Sequence, residues 1–318
     1  MPSPAPRPFR FSLQAVEAAT RRDWVDLVKR ADDAGFDLLV TADHLGGCLD
    51  PLLPLATAAA VSERLRLGVM VLNNDFHHPA LLARQAATLD LLSDGRAEVG
   101  LGAGHAWPEY EAAGLAFDPP GTRVDRLEEA VTVLCRLLDG ETVTSGGPHY
   151  RLAGQRCDPL PVQPHVPVLV GGAGRRVLSI GARLGDAVGF TGLGRTLPDG
   201  RRHETGGFRV EAVDADVAAV RAATAAAGRA APVEHQVLVQ LVAVTDDARG
   251  TAEELAATRV PSLSADDLLT TPYVMVGSAA GLVERLLEQR ERWGFSHYTV
   301  RPDALGQIEP VIAELAGR

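Results

Sequence analysis

The chain has 318 residues, 46% hydrophobic and 23% charged, enough to bury the core of one large barrel or of two ordinary domains. A formal net charge of −10 argues against nucleic acid or an anionic membrane as partner, and no run of about 18 apolar residues is present, so a small molecule is the expected partner. The Pro-rich start MPSPAPRPFRF lacks the apolar stretch of a signal peptide, and Cys48, Cys135 and Cys157 have neither disulfide nor zinc spacing; a soluble, cytoplasmic protein is expected.

Phe9 to Gln14 reads as a strand, and Thr20 with Asp23 caps the helix after it. Phe36 to Val40 is a short apolar run suited to a strand buried on both faces, ending at Thr41-Ala42-Asp43-His44. Helix 52–61, strand 65–72, helix 79–92 with Pro79 in its first turn, and strand 97–102 continue the alternation. Thr122 and Asp125 suggest another capping box, after which Val124, Leu127, Val131, Leu134 and Leu138 recur on one helical face. Strands are expected at 167–170, 187–190, 236–244 and 297–300, with helices at 174–183, 213–226, 248–257, 279–293 and the end of the chain. Strands separated by helices pair in parallel through right-handed crossovers, so the pattern predicts a single (β/α)8 TIM barrel with insertions; a doubly wound open sheet is the runner-up.

Two stretches interrupt the pattern, 140–166 with its prolines and 191–210 with Gly192, Gly194, Gly200, Gly206 and Gly207. The second reads either as a lid, whose Arg195, Arg201, Arg202 and Arg209 would meet an anionic ligand, or as plain disorder.

A barrel carries its chemistry at the carboxyl ends of its strands, which here are Gln14, Asp43-His44, 70–74, 103–107, 171–174 and Thr191. His44 is the first candidate because an imidazole exchanges protons near neutral pH; the competing reading is a surface or core histidine. Asp43 as a cap for the next helix is disfavoured because Pro51 comes several residues later. Gly102-Ala103-Gly104 would let a flat ring approach or form only a tight turn. Gly171-Gly172-Ala173-Gly174 with Arg175 and Arg176 has the makings of a phosphate site at a helix start, and a simple turn fits it nearly as well. Metal hydrolysis is disfavoured, since the first strand end offers Gln14 rather than HxH and His77-His78 has no carboxylate at ligand spacing.

Several segments together resemble the bacterial luciferase-like monooxygenase superfamily: ADDAGFDLLVTADHL, the run from PLLPLATAAAV to EVGLGAGH, TRVDRLEEAVTVLCRLLDGE, PVLVGGAGRRVLSIGARLGDAVGF and VGSAAGLVERL. Within it the chain is most similar to the branch that uses the deazaflavin coenzyme F420. The resemblance implies that Asp43 and His44 lie beside the coenzyme ring and that His44 exchanges a proton. It implies a non-prolyl cis peptide at Met70-Val71 behind the ring, with Asn73 at its edge and Ala103, Gly104 and His105 nearby. Gly171, Gly172, Gly174 and Arg175 would receive the phosphate.

The sugar-phosphate dehydrogenases of that branch have tryptophan where this chain has Cys48 and glutamate where it has His105, which argues against a sugar-phosphate substrate. His44 and His105 would then form the acid–base pair, with Gln14, Cys48 and Trp107 lining the substrate. The expected reaction is an F420H2-dependent reduction of a C=C or C=N bond. The rivals are an FMN-dependent monooxygenase and a non-catalytic coenzyme-binding protein. The resemblance also suggests a homodimer.

Overall fold

The computed structural model describes residues 6–197, 202–229 and 231–318, and within them eight parallel strands close into a barrel. In chain order the strands are β1 (Arg10–Gln14), β2 (Leu38–Thr41), β3 (Arg66–Asn73), β4 (Ala97–Gly102), β5 (Val143–Gly146), β6 (Arg151–Gln155), β7 (Val168–Gly171), β8 (Ala187–Phe190), β9 (Glu234–Leu238), β10 (Leu241–Val244), β11 (Val274–Gly277) and β12 (Phe295–Val300). The helices are α1 (Arg21–Asp33), α2 (Leu53–Ala59), α3 (Pro79–Leu92), α4 (Trp107–Ala113), α5 (Pro120–Leu138), α6 (Arg175–Leu184), α7 (Val210–Ala226), α8 (Ala248–Thr258), α9 (Ala265–Thr270), α10 (Ala279–Trp293) and α11 (Leu305–Leu315). Around the barrel the order is β1, β2, β3, β4, β7, β8, β9, β12, with β12 pairing back onto β1. This is the closed (β/α)8 barrel expected from the alternation, and the open sheet is ruled out.

Local chemistry explains the elements. Leu38, Leu39 and Val40 are buried because β2 has helices on one side and barrel interior on the other. Thr20 caps α1 by accepting the Asp23 N–H at 3.2 Å. In α5 the apolar seam Leu127, Val131, Leu134 and Leu138 is buried, but the capping box at Thr122 does not form. The helix already begins at Pro120, whose missing N–H is tolerated in a first turn, and Asp125 instead meets Arg176 at 2.5 Å.

Three expectations are corrected. The strand over 236–244 is two strands, because the backbone changes partner: Val239 N–H still donates to Thr299 O in the barrel, whereas Gln240 N–H donates to Tyr273 O outside it. β10 then pairs with β11, a strand the helix–strand alternation missed. Residues 140–166 are not irregular throughout; they hold the antiparallel hairpin β5–β6.

The barrel interior is layered. At the amino ends of the strands Arg10 bridges Glu98 and Glu234, and Glu234 also accepts from His297 Nδ1 at 3.2 Å. Ser12 Oγ completes the network on the other nitrogen of that ring. Next to that layer Leu38, Val40, Met70 and Leu238 form a separate apolar cluster with Val71 against it. The polar layer fills the barrel at the strand starts, so the ends where the strands finish are left to present functional side chains. Among the described residues no helix is long and apolar enough to cross a membrane.

Candidate active site

The β2 and β3 ends are tied by one carboxylate. Asp43, 7% exposed, accepts the Asn73 N–H at 2.9 Å and meets His77 Nε2 at 2.8 Å, both through Oδ2. Asp43 is therefore not a helix cap; its charge is spent on positioning the turn after β3. His77, passed over because it has no metal-ligand spacing, is its partner.

Beneath that turn Met70-Val71 is a cis peptide. Gln14, at the end of β1, donates to Met70 O at 2.8 Å, so its amide is engaged by the floor of the mouth. The Val71 methyls press on two glycines: a Cβ on Gly102 would come within 2.7 Å of one and a Cβ on Gly171 within 3.1 Å of the other. Glycine at both strand ends is thus a packing requirement, and it joins the floor to the segment after β7.

Asn73 accepts from Tyr110 and from the Asp75 N–H through Oδ1, at 2.9 and 3.2 Å. Tyr110 Oη also lies 3.0 Å from Asp75 Oδ2, and burial followed by that carboxylate raises its pKa. Gly104 has φ +74, and a Cβ there would overlap Tyr110 Oη and Asn73 Oδ1. Arg123, buried beneath, donates to Ala103 O and Gly104 O and lies 4.1 Å over the Phe117 ring.

Over this floor sit the imidazoles. His44 Nδ1 is 2.8 Å from Glu109 Oε1, while Glu109 Oε2 accepts the Leu45 N–H at 3.2 Å. Glu109 belongs to α4, an element absent from the sequence reading. The local signal was there: Pro108 suits a first turn and Gly114, at φ +69, a helix end. Trp107 starts the same helix, 39% exposed, and its N–H donates to His105 O. Cys48 is half-buried, and its thiol pKa is raised by burial and then by Glu109, Glu17 and Asp43, so it stays protonated.

His105 lies edge-on between His44 and His203, with ring centroids 5.5 and 5.0 Å away. Burial first, then His203, His44 and Arg123, lower its pKa to about 4. His105 is thus neutral at pH 7, and the two histidines expected as a pair are unequal: His44 has a carboxylate, His105 has none.

His203 comes from the 191–210 stretch, whose described part folds back on itself as a ribbon. Thr196 bridges His203, Gly194 N–H donates to Glu204 O, and Phe208 is buried 5.1 Å from the Tyr273 ring. Thr196 Oγ1 reaches His105 Nδ1 at 3.4 Å, laying the ribbon over the mouth. Of its expected anion-binding arginines, Arg209 donates to Ser262 O at 3.4 Å, and Arg201, like Gly200, lies outside the described residues. Among the described residues no group of three His, Cys, Asp or Glu side chains is arranged to hold a metal.

After β7 the chain turns through Gly172 (φ +144) and Gly174 (φ +94), conformations that suit glycine, and α6 begins at Arg175. A Cβ on Gly174 would meet nothing within 4 Å. The turn opens onto a cavity of about 130 Å³ lined also by Phe190, Gly192, Asp216 and Tyr273. Unpaired N–H groups of a first helical turn beside such a space can hold an anion.

Residues 7–307 match the family model of luciferase-like monooxygenases. An F420-dependent glucose-6-phosphate dehydrogenase of Nakamurella multipartita is 33% identical over 190 residues, 57% of this chain and 56% of that protein. The chain thus matches about half the length of such curated relatives. Coenzyme F420-dependent tetrahydromethanopterin reductase from Methanopyrus kandleri superposes with TM-score 0.74 at 17% identity, covering 97% of this chain and 99% of that one. Monooxygenase RslO1 from Streptomyces bottropensis gives 0.72 at 24% identity, with 96% and 98% covered.

Proposed function

The chain belongs to the luciferase-like monooxygenase family, and from that premise we propose that it is a cytoplasmic F420-dependent oxidoreductase that exchanges a hydride with a small organic substrate. The observation that carries this reading is the carboxylate-backed imidazole of His44 at the end where the strands finish, in a barrel that also offers a glycine cradle for phosphate. The relatives named as F420-dependent support the choice of coenzyme.

The residues fit such a group: the space in front of Gly174 is one a Cβ would enter, and the apolar Met70 and Val71 suit the face of a ring. The bound deazaflavin would supply the hydride. Gly171, Gly172, Gly174 and Arg175 would hold the phosphate, while Met70 and Val71 would support the ring and Ala103, Gly104 and Asn73 would border it. Asp43 acts through the Asn73 N–H and His77, as a positioning residue.

Glu109 fixes Nδ1 of His44 and so leaves Nε2 for the substrate, which makes His44 the proton donor in our reading of a C=C or C=N reduction. Such general acid catalysis is typically worth about 10²–10⁴ in rate. His105, neutral, serves as a wall and hydrogen-bonding group with Trp107, Cys48 and Gln14 around the substrate. We take the active form to be a homodimer, a reading supported by the exposed Leu53 of α2 and Leu81 and Leu92 of the adjoining α3.

The test is titration of the purified protein with F420 and with FMN, followed by absorbance. F420 binding is expected; tight FMN binding without F420 binding overturns the assignment. Turnover that persists without oxygen separates hydride transfer from a monooxygenase.

A further inference from the structure

The cradle after β7 contains a group that a simple phosphate site would not place there. Asp216, on α7, lines the same cavity as Gly172 and Gly174. Burial pushes the Asp216 carboxyl up and Arg175 draws it back down, while Arg176 is paired with Asp125. The Asp216 carboxylate therefore opposes, at the cradle, the attraction Arg175 would exert on an anion. What remains to attract a phosphate is the backbone N–H groups and the partial positive charge of the α6 start, roughly half an elementary charge.

We propose that Asp216 selects the charge of the phosphate this cradle accepts, admitting a phosphodiester monoanion and disfavouring a phosphomonoester dianion. The inference rests on the coenzyme reading above. The phosphate of F420 is a diester with one negative charge, whereas FMN ends in a monoester carrying nearly two. Repulsion from a fixed carboxylate grows linearly with the charge facing it, so the monoester pays twice the penalty. Asp216 thereby gives the cavity a means of discriminating coenzymes that is independent of the ring.

Titrating the wild type, Asp216→Asn and Asp216→Ser with F420, FMN and riboflavin at pH 8, followed by ring absorbance or fluorescence, isolates the phosphate, because FMN and riboflavin share one ring. In the wild type FMN is expected to bind no tighter than riboflavin. Both variants are expected to strengthen FMN relative to riboflavin by about tenfold and F420 by about threefold, the square root that half the charge dictates. Asp216→Glu should retain the wild-type preference. A gain below about twofold for FMN in both variants, with F420 still bound by the wild type, overturns the role of Asp216 and leaves the coenzyme assignment standing. Wild-type protein that binds FMN much more tightly than riboflavin overturns it as well, and wild-type protein that does not bind F420 overturns both.

Discussion

Glu109 holds His44 by two atoms at once, with Oε1 2.8 Å from the ring Nδ1 and Oε2 accepting the N–H of the following residue at 3.2 Å. Replacing it by glutamine keeps the shape and takes the carboxylate acceptor away from the ring Nδ1. Glu109→Gln should slow turnover by roughly 10–100-fold with little loss of fold, and His44→Ala by about 10²–10⁴. Stopped-flow oxidation of F420H2 across pH 6–8 with a C=C acceptor measures both. Unchanged rates in both variants would remove the pair from the chemistry.

His105 should remain neutral through physiological pH. Its pKa of about 4, set by burial and then by His203, His44 and Arg123, predicts an NMR titration midpoint far below that of a free imidazole. His105→Gln should cost less than about tenfold in rate, since a neutral ring is no acid at pH 7. A midpoint near 6.5 in the wild-type spectrum contradicts this environment.

Two glycines should fail in different ways. Gly104→Ala places a Cβ against Tyr110 Oη and Asn73 Oδ1 at φ +74, so about 1–3 kcal/mol of overpacking adds to backbone strain. Gly174→Ala meets nothing within 4 Å and should cost only the strain of about 1–2 kcal/mol, yet weaken F420 binding. Denaturant melts and coenzyme titrations on both variants tell the effects apart; equal binding of F420 by Gly174→Ala and wild type would remove the cradle from the site.

Acid should unfold the barrel through its polar layer. Burial opposes the ionised form of Glu234, but His297 and then Arg10 hold its pKa down to about 2, against an ordinary value of 4.5. The folded value is the lower one, so the stabilisation is complete above about pH 4.5 and is lost as pH falls towards 2, amounting to about 3 kcal/mol. Urea midpoints at pH 7, 4 and 3 should fall steeply for the wild type. They should fall less for Glu234→Gln, which is weaker at pH 7 because Arg10 and His297 lose a charged partner. Parallel curves for the two proteins would show that the carboxylate does not govern the acid limb.

The barrel was legible because each strand is a short apolar run and each helix has a seam, and those periodicities come from burial itself. Asp43 and His44 stand out as candidates because strand ends are where a barrel presents side chains, whereas His105 enters only through the family resemblance. Glu109 was not legible, because its meeting with His44 depends on how α4 folds back after β4, a contact between residues 65 positions apart. His203 is further still from His105 in sequence, and the ribbon that brings it there has no apolar periodicity to announce it. The strand at 236–244 was misread for the converse reason: its pattern stays apolar through Gln240 while the backbone changes sheets.

The division of labour among the loops has an evolutionary side. His44 stands on the turn after β2 and Glu109 on α4, which follows β4, and the cradle follows β7, whereas Thr196 and His203 belong to the excursion after β8 and meet His105. Exchange or lengthening of that one excursion would remodel the chamber above His105 without touching the His44–Glu109 contact, and through Gly192 and Gly207 it would also reshape the cavity at the Gly172–Gly174 turn. Drift in a single surface segment would therefore change, in one step, both what fits over His105 and the space in front of Gly174.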